Sequence, residues 1–242
     1  MPSVKTKGIN LRSVKVGEAD KIITIFTENL GKISAIAKGA RKPSSKFGGR
    51  LEPFSFNEYL LGTGKSLYIV SQVETIENFY ELREDEDKLA SAGGIVRLLD
   101  AAVEDCHKDP ALLQLALLSL RLLKEGVFPS TVKKIFEIRL MEMEGFFPLL
   151  DGCVKCKRKI VKEPEEVNIN LIMGGLTCSA CSKTVMGGIT VPYELVRLVL
   201  KIRSAGVEEL KKINIEPGDI EKLDMIFKPY ISDHIGKDIR NW

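Results

Sequence analysis

The first 80 residues contain five short runs rich in β-branched and aromatic residues, each separated from the next by turn residues. Glycines mark the turns, as in Gly17-Glu18-Ala19-Asp20 and Gly62-Thr63-Gly64-Lys65. The runs cover residues 4–16, 21–27, 32–38, 53–61 and 66–79. Five such strands within about 80 residues are typical of the oligonucleotide/oligosaccharide-binding (OB) barrel. We therefore expect residues 1–80 to form a five-stranded OB-fold barrel domain.

The apolar residues after position 80 recur at helical spacing, as Leu89, Ala92, Val96 and Leu99 do. The pattern predicts helices near residues 84–103, 110–124, 131–144, 192–205 and 217–235. Residues 151–191 interrupt this rhythm with Gly, Cys and Pro. We therefore expect an α+β protein of two domains, in which a helical bundle at 81–242 carries a small inserted module at 151–191.

Four of the five cysteines form two Cys-x2-Cys pairs, Cys153/Cys156 and Cys178/Cys181, with 21 residues between them. Four thiolates at this spacing can enclose one tetrahedral Zn²⁺ in a zinc-ribbon-like module, and a closed site of this kind stabilises and does not catalyse. A redox or disulfide pair and unliganded thiols remain the alternatives, although neither pair opens a helix after a strand as a redox motif does. Cys106 lies outside the pattern and is expected to be a small buried or half-buried residue.

The positive charge of the chain is concentrated near its amino-terminal end. Residues 1–65 hold 12 Lys or Arg and 5 Asp or Glu, a net charge of +7, whereas residues 66–242 hold 24 and 28, a net charge of −4. Such an asymmetry predicts that the barrel binds a polyanion.

The segment 38–50, between the third and fourth predicted strands, carries five positive charges and no negative one. The predicted phosphate-binding residues are Lys38, Arg41, Lys42, Lys46 and Arg50, with Arg12, Lys15 and Lys32 as second-rank contacts. Phe47 is the best candidate in this loop for stacking on a base, whereas Phe26, Phe54 and Phe56 are expected to fill the barrel. Because cations on phosphates do not read sequence, we expect binding without sequence preference.

No arrangement of residues indicates catalysis. The segment Gly62-Thr63-Gly64-Lys65-Ser66 ends like a phosphate-binding P-loop, but that motif needs glycine where Tyr59 stands. The two histidines, His107 and His234, belong to no catalytic or metal-binding spacing. The first residues contain no apolar signal region, and the most apolar run, 111–120, is too short for a bilayer. We therefore expect a non-enzymatic, soluble, cytosolic protein.

The chain resembles the bacterial recombination mediator family RecO in an ordered series of segments. These are GEADKI at 17–22, GKI at 31–33, AKGARK at 37–42, LEPF at 51–54, FEIRL at 136–140 and GFFPL at 145–149. The resemblance covers essentially the whole chain, and the order of the segments is more specific than any one of them.

The resemblance implies an OB barrel, a helical domain and a zinc-binding insert, with all four ligands kept here. It also implies a cytoplasmic, nucleoid-associated protein that binds single- and double-stranded DNA and anneals complementary strands. With RecR, such proteins help to load RecA onto DNA coated by single-stranded-DNA-binding protein (SSB), whose acidic tail they contact through the helical domain. The residues alone also allow a zinc-containing protein–protein adaptor or an RNA-binding OB-fold protein.

Overall fold

The computed structural model of the protein describes residues 2–160 and 164–238. The chain forms two compact units, of which the first ends at Pro129 and the second begins at Ser130. The first unit therefore contains the first two helices as well as the barrel, whereas the sequence pattern suggested a division near residue 80.

The first unit is built on a closed five-stranded barrel, as predicted. Its strands are β1 (Ser3–Val16), β2 (Asp20–Thr27), β3 (Gly31–Ala37), β4 (Phe56–Gly62) and β5 (Tyr68–Glu77). The order around the barrel is β1-β2-β3-β5-β4, and β4 closes it by pairing with β1. Strands β3 and β5 pair in parallel, whereas the other pairs are antiparallel.

Side chains at every second position fill the barrel, as the alternation of a strand requires. Ile23 and Ile25 of β2, Ala35 of β3, and Tyr59 and Leu61 of β4 have no exposed surface. Phe26, Phe54 and Phe56, which were expected to fill the barrel, are also buried, but they lie outside the cluster of side chains that fills it. The barrel is therefore packed solid, and a ligand must bind on its outer surface or its loops.

Two helices follow the barrel within the first unit, α1 (Glu86–Ala102) and α2 (Pro110–Lys124). Each begins at an aspartate whose carboxylate accepts a hydrogen bond from a backbone N–H of the first turn, at 3.0 Å for Asp85 and 2.8 Å for Asp109. Ion pairs of 2.8 Å (Arg121–Glu77) and 2.7 Å (Lys124–Glu81) join α2 to the end of the barrel segment.

The segment after α1 runs beside the start of β3. The backbone N–H of Cys106 donates to the Lys32 carbonyl at 2.9 Å. Gly31 adopts a left-handed conformation with φ of 70°, and a Cβ there would overlap the carbonyl oxygen of His107. Only glycine allows this approach. Cys106 itself is exposed, so the expectation that it is buried was wrong.

The second unit combines helices with a small three-stranded sheet. Its helices are α3 (Pro129–Met143), α4 (Ser179–Ser182), α5 (Tyr193–Ser204), α6 (Val207–Leu210) and α7 (Pro217–Ile235). The sheet has the order β7-β6-β8, with β6 (Glu166–Asn170), β7 (Gly175–Thr177) and β8 (Ile189–Pro192). The sheet and α4 lie within the predicted insert at 151–191, and the long helices lie where the periodicity placed them. In the described ranges, no helix combines the length and the apolar composition needed to cross a membrane.

A buried ion network joins α3 to α7. Lys134 and Glu137, which are 1% and 0% exposed, form an ion pair of 2.5 Å, and Lys134 also pairs with Asp224 of α7. Burial disfavours the charge on Lys134, but the two carboxylates outweigh it and raise the pKa of this lysine. Removing one partner of such a pair leaves an uncompensated buried charge, which costs about 3–5 kcal/mol.

We expect Gly31→Ala to lower the free energy of unfolding by about 3 kcal/mol or more, because it adds a steric clash to the cost of a left-handed alanine. Gly17→Ala is the matched control, since Gly17 has φ of 54° but no atom lies within 4 Å of the point that its Cβ would occupy. The control should lose only about 1–2 kcal/mol. Urea unfolding followed by circular dichroism measures both, and equal losses would show that the His107 contact is unimportant.

Candidate nucleic-acid interface and metal site

The predicted binding loop exists because of the strand order of the barrel. Strand β3 ends at Ala37 and its next neighbour in the barrel is β5, so the chain must cross to reach β4, which begins at Phe56. The connection includes a short 3-10 helix, Gly48–Leu51. A long loop at one end of the barrel is therefore a direct result of the topology.

Two apolar side chains of this loop insert into the barrel. Phe47 is 2% exposed and Leu51 is fully buried, and both belong to the same cluster as the strand residues Ile23 and Tyr59. Removing an aromatic side chain from water lowers the free energy of the folded protein, so burial of Phe47 in the barrel is favourable. The prediction that Phe47 stacks on a base does not agree with this burial, and Phe47 is an anchor of the loop instead.

Two buried asparagines hold the backbone of the loop. The side-chain amide of Asn10 donates to the Leu51 carbonyl, and that of Asn57 donates to the Arg50 carbonyl at 2.8 Å. The Asn57 amide also lies 2.9 Å from the Tyr59 hydroxyl. The sequence reasoning missed both residues. The available signal was an asparagine, disfavoured in strands, next to residues expected in the core.

The glycine at position 49 makes room for the segment after β5. A Cβ at Gly49 would overlap the Tyr80 hydroxyl oxygen. Arg83 lies over the Tyr80 ring, with its guanidinium carbon 5.3 Å from the centroid, and donates to the Pro53 carbonyl at 3.1 Å. Gly49 therefore allows the loop to pack against Tyr80.

The anchored loop exposes all five cations that were predicted to bind phosphate: Lys38, Arg41, Lys42, Lys46 and Arg50. Three of them donate to backbone carbonyls, Arg41 to Gly17 at 2.8 Å, Lys46 to Ser71 at 2.7 Å and Arg50 to Lys46 at 2.9 Å. Within residues 2–160 and 164–238, none of the five forms an ion pair with a carboxylate. Hydrogen bonds therefore hold three of the five charges in place, and no carboxylate among the described residues neutralises any of them.

The three second-rank cations separate into two kinds. Arg12 and Lys15 of β1 are exposed and, in the part of the chain that the structure describes, have no carboxylate partner. Lys32 is buried, and its ammonium donates to the Asp100 carbonyl at 2.8 Å and lies 3.4 Å from the Asp100 carboxylate. Lys32 therefore ties β3 to α1 and is not available to a phosphate, so this choice of residue was wrong.

The four cysteines of the two Cys-x2-Cys pairs converge on one point. Their sulfur atoms all lie within 4.8 Å of one another, and those of Cys156 and Cys178 are 3.9 Å apart. Four sulfurs arranged tetrahedrally around Zn²⁺ at 2.3 Å would be about 3.8 Å apart. Among the residues described, this is the one group of three or more Cys, His, Asp or Glu side chains with the geometry of a metal site.

Backbone N–H groups support negative charge on these sulfurs. Burial opposes ionisation of the Cys153 thiol, but backbone N–H groups of Cys156, Cys178 and Lys155 more than offset it and lower the pKa to about 6. A hydrogen bond with the Cys178 thiol and burial raise the pKa of Cys181 to about 12. Because the thiolate is the metal-binding form, the backbone favours metal binding at Cys153, whereas Cys181 must lose its proton when a metal binds.

The anchoring role of Phe47 predicts how its substitution acts. Phe47→Ala should destabilise the first unit by about 3–5 kcal/mol, whereas Phe47→Leu should cost less than about 1.5 kcal/mol because it keeps most of the buried volume. Urea unfolding measures both. A stacking role for Phe47 would instead show as an about tenfold weaker binding of single-stranded nucleic acid by the stable variant Phe47→Leu.

Two family models match the chain, and together they cover nearly all of it. The model described as recombination protein O, N terminal, matches residues 1–79, and the one described as recombination protein O, C terminal, matches residues 83–242. The first match coincides with the barrel, and the second contains the cysteine cluster.

Curated relatives of similar length carry the name DNA repair protein RecO. That of Caldicellulosiruptor bescii is 34% identical over 99% of this chain and 96% of its own, and that of Alkaliphilus metalliredigens is 34% identical over 97% and 94%. The protein of Acetivibrio thermocellus is 30% identical over 98% of this chain and 94% of its own. With its barrel, helices and cysteine cluster, the chain therefore belongs to the RecO family, whose role lies in DNA repair by recombination.

Proposed function

We propose that the protein is a non-enzymatic recombination mediator that binds single- and double-stranded DNA without sequence preference and anneals complementary strands. The observation that carries this proposal is the loop of residues 38–50, which presents five exposed cations that pair with no carboxylate among the described residues. A surface of exposed cations suits the phosphate backbone of a nucleic acid. The protein works in the cytoplasm, at the nucleoid.

The arrangement of the cations supports binding by charge alone. Lys38 and Lys42 are exposed and have no hydrogen-bond partner for their ammonium groups in the described ranges. Arg41 and Arg50 each use one N–H on a carbonyl, which leaves the rest of the five donors of a guanidinium for phosphate oxygens. Arg12 and Lys15 extend this surface along β1. The buried anchors keep the charges together, so little ordering is needed on binding.

We also propose that the four cysteines bind one structural Zn²⁺. Four thiolates fill all the positions of a tetrahedral ion and leave none for a water molecule. Zinc would therefore hold the two Cys-x2-Cys turns together and would not take part in a reaction.

The partners follow from family membership. We propose that the protein acts with RecR to help load RecA onto SSB-coated DNA, and that the second unit, which contains most of the helices, contacts the acidic tail of SSB. A DNA-binding protein that also binds the acidic tail of SSB is recruited to the strands that SSB covers and can anneal them there.

Replacing Lys38, Arg41, Lys42, Lys46 and Arg50 with Gln should weaken DNA binding about equally on all sequences. The slope of log K against log salt should become less steep by about 4–5 units on duplex DNA and 3–4 units on single strands, because five phosphate contacts are lost. Fluorescence anisotropy at several salt concentrations measures both. Lys108→Gln is the control, since Lys108 is exposed beside the opposite end of β3 and should change the slope by less than about one unit.

The same loop variant tests annealing. Wild type should anneal complementary strands coated with SSB, and the variant should do so at least about tenfold more slowly if binding limits the reaction. Equal rates would show that the loop is not the site. Competition between single-stranded DNA and RNA of equal length separates DNA binding from RNA binding, and a clear preference for RNA would contradict the proposal.

The metal proposal predicts about one zinc per chain in the purified protein. Cys156→Ser should lose this zinc and with it the stabilisation that metal binding provides, about 2.7 kcal/mol when free zinc is 100-fold above Kd. Cys106→Ser is the matched control and should keep the metal, because Cys106 lies outside the cluster. Elemental analysis and thermal unfolding measure the two effects. Wild type without bound metal would contradict the proposal.

A further inference from the structure

The two cysteine turns carry a dense group of exposed cations that the loop of the barrel does not explain. We name this group the knuckle cations: Lys155, Lys157, Arg158, Lys159 and Lys183, all exposed. The first four fall within residues 153–160. The ammonium of Lys155 donates to the Thr184 hydroxyl at 2.8 Å, so the two cysteine turns present their cations side by side.

Backbone hydrogen bonds close the first cysteine turn tightly. The N–H of Cys153 donates to the Arg158 carbonyl at 2.9 Å, and the N–H of Lys157 donates to the Cys153 carbonyl at 2.8 Å. Lys157 has φ of 61°, a left-handed conformation that glycine would adopt with less strain. The turn therefore carries a lysine at a position where the backbone alone would favour glycine.

The knuckle cations differ from the other cations of the second unit. Elsewhere in this unit most Lys and Arg side chains face carboxylates, as in Lys201–Glu209, Arg203–Glu142 and Lys222–Asp219. Within residues 2–160 and 164–238, no knuckle cation forms an ion pair. The charges at the cysteine turns are thus left without the neutralising partners that are common in the rest of the unit.

Neutralising the negative charge of a zinc-bound cysteine cluster would use only some of the five knuckle cations. Four thiolates and one Zn²⁺ sum to a charge of −2, so two of the five knuckle cations would neutralise the bound cluster. Three positive charges remain in excess among the knuckle cations themselves; the exposed Asp151, Glu165 and Glu166 of the same module form no ion pair with them within the described residues. A polyanion is the partner that such an excess attracts.

We propose that the knuckle cations form a second phosphate-binding surface, which holds one DNA strand while the barrel loop holds the other. This inference rests on the proposed annealing function, since annealing requires two strands on one protein. Four of the five cations are lysines, which bind oxyanions as point charges and read no base sequence. The site therefore suits a nucleic-acid backbone of any sequence, as the proposed annealing function requires.

The test measures whether one protein holds two strands that cannot pair. A single-stranded oligonucleotide is fixed to a surface, the protein is bound to it, and capture of a second, labelled, non-complementary oligonucleotide is recorded. The knuckle variant Lys157→Gln/Arg158→Gln/Lys159→Gln should retain binding to the first strand within about threefold and lose at least about tenfold of the capture; three lost contacts on a single strand should reduce the salt slope of capture by about 2 units.

Control variants separate charge from folding. Lys201→Gln/Lys212→Gln/Lys222→Gln removes the same charge from exposed or half-buried positions of the same unit and should leave capture unchanged. Lys157→Arg/Lys159→Arg keeps the charge and should retain capture. Zinc content is measured for every variant, and a knuckle variant that keeps its zinc and loses capture supports the proposal.

The outcomes distinguish failure of this inference from failure of the proposed function. Normal capture by a knuckle variant, together with loss of first-strand binding by the loop variant, would overturn the second site and leave the mediator function intact. Loss of neither activity in either variant would overturn both. If the knuckle variant captures DNA normally but no longer binds an acidic peptide, the surface serves a protein partner and the inference is wrong.

Discussion

The parallel pairing of β3 with β5 is the constraint on which the first unit depends. Only two residue pairs, Ala35 with Tyr68 and Ile36 with Ile69, define this part of the barrel wall. Because β5 occupies the place beside β3, the chain cannot turn directly into β4 and must cross the end of the barrel. The crossing segment inserts apolar side chains into the barrel and exposes its cations to solvent. The segment that crosses from β3 to β4 thus both closes the end of the barrel and presents the cations.

Each unit holds a charged segment in a defined position, but the contacts that hold it differ between the two units. In the first, a hydrophobic core and buried amides fix a charged loop. In the second, backbone hydrogen bonds and four clustered cysteines with the geometry of a metal site hold a charged turn. Both segments present cations without carboxylate partners among the described residues. The binding partner of each segment is therefore selected by charge. Affinity for any phosphate backbone, rather than readout of bases, is the property that the proposed annealing of complementary strands requires.

The sequence predicted the five strands, the long helices and the cysteine cluster, because each follows from a local period or spacing. The sequence did not predict the burial of Phe47 and Lys32, because the burial of both side chains depends on contacts with residues that are distant in the sequence. Phe47 is buried by strands that lie before and after it, and Lys32 by Asp100, which follows it by 68 residues. Asn10 and Asn57 were missed for the same reason: a buried amide is recognised only when the carbonyl that it serves is in place.

The ion pair of Lys32 also bears on how the chain can be divided for experiments. A fragment that ends near residue 80 would contain this lysine but neither of its acidic neighbours, Asp100 and Asp105. It would also leave Gly31 with no chain packed against it and would expose the barrel surface that α1 and α2 cover. The natural place to cut is after Pro129, where the first compact unit ends. A fragment that carries the charged loop should therefore be designed as the barrel together with its two helices.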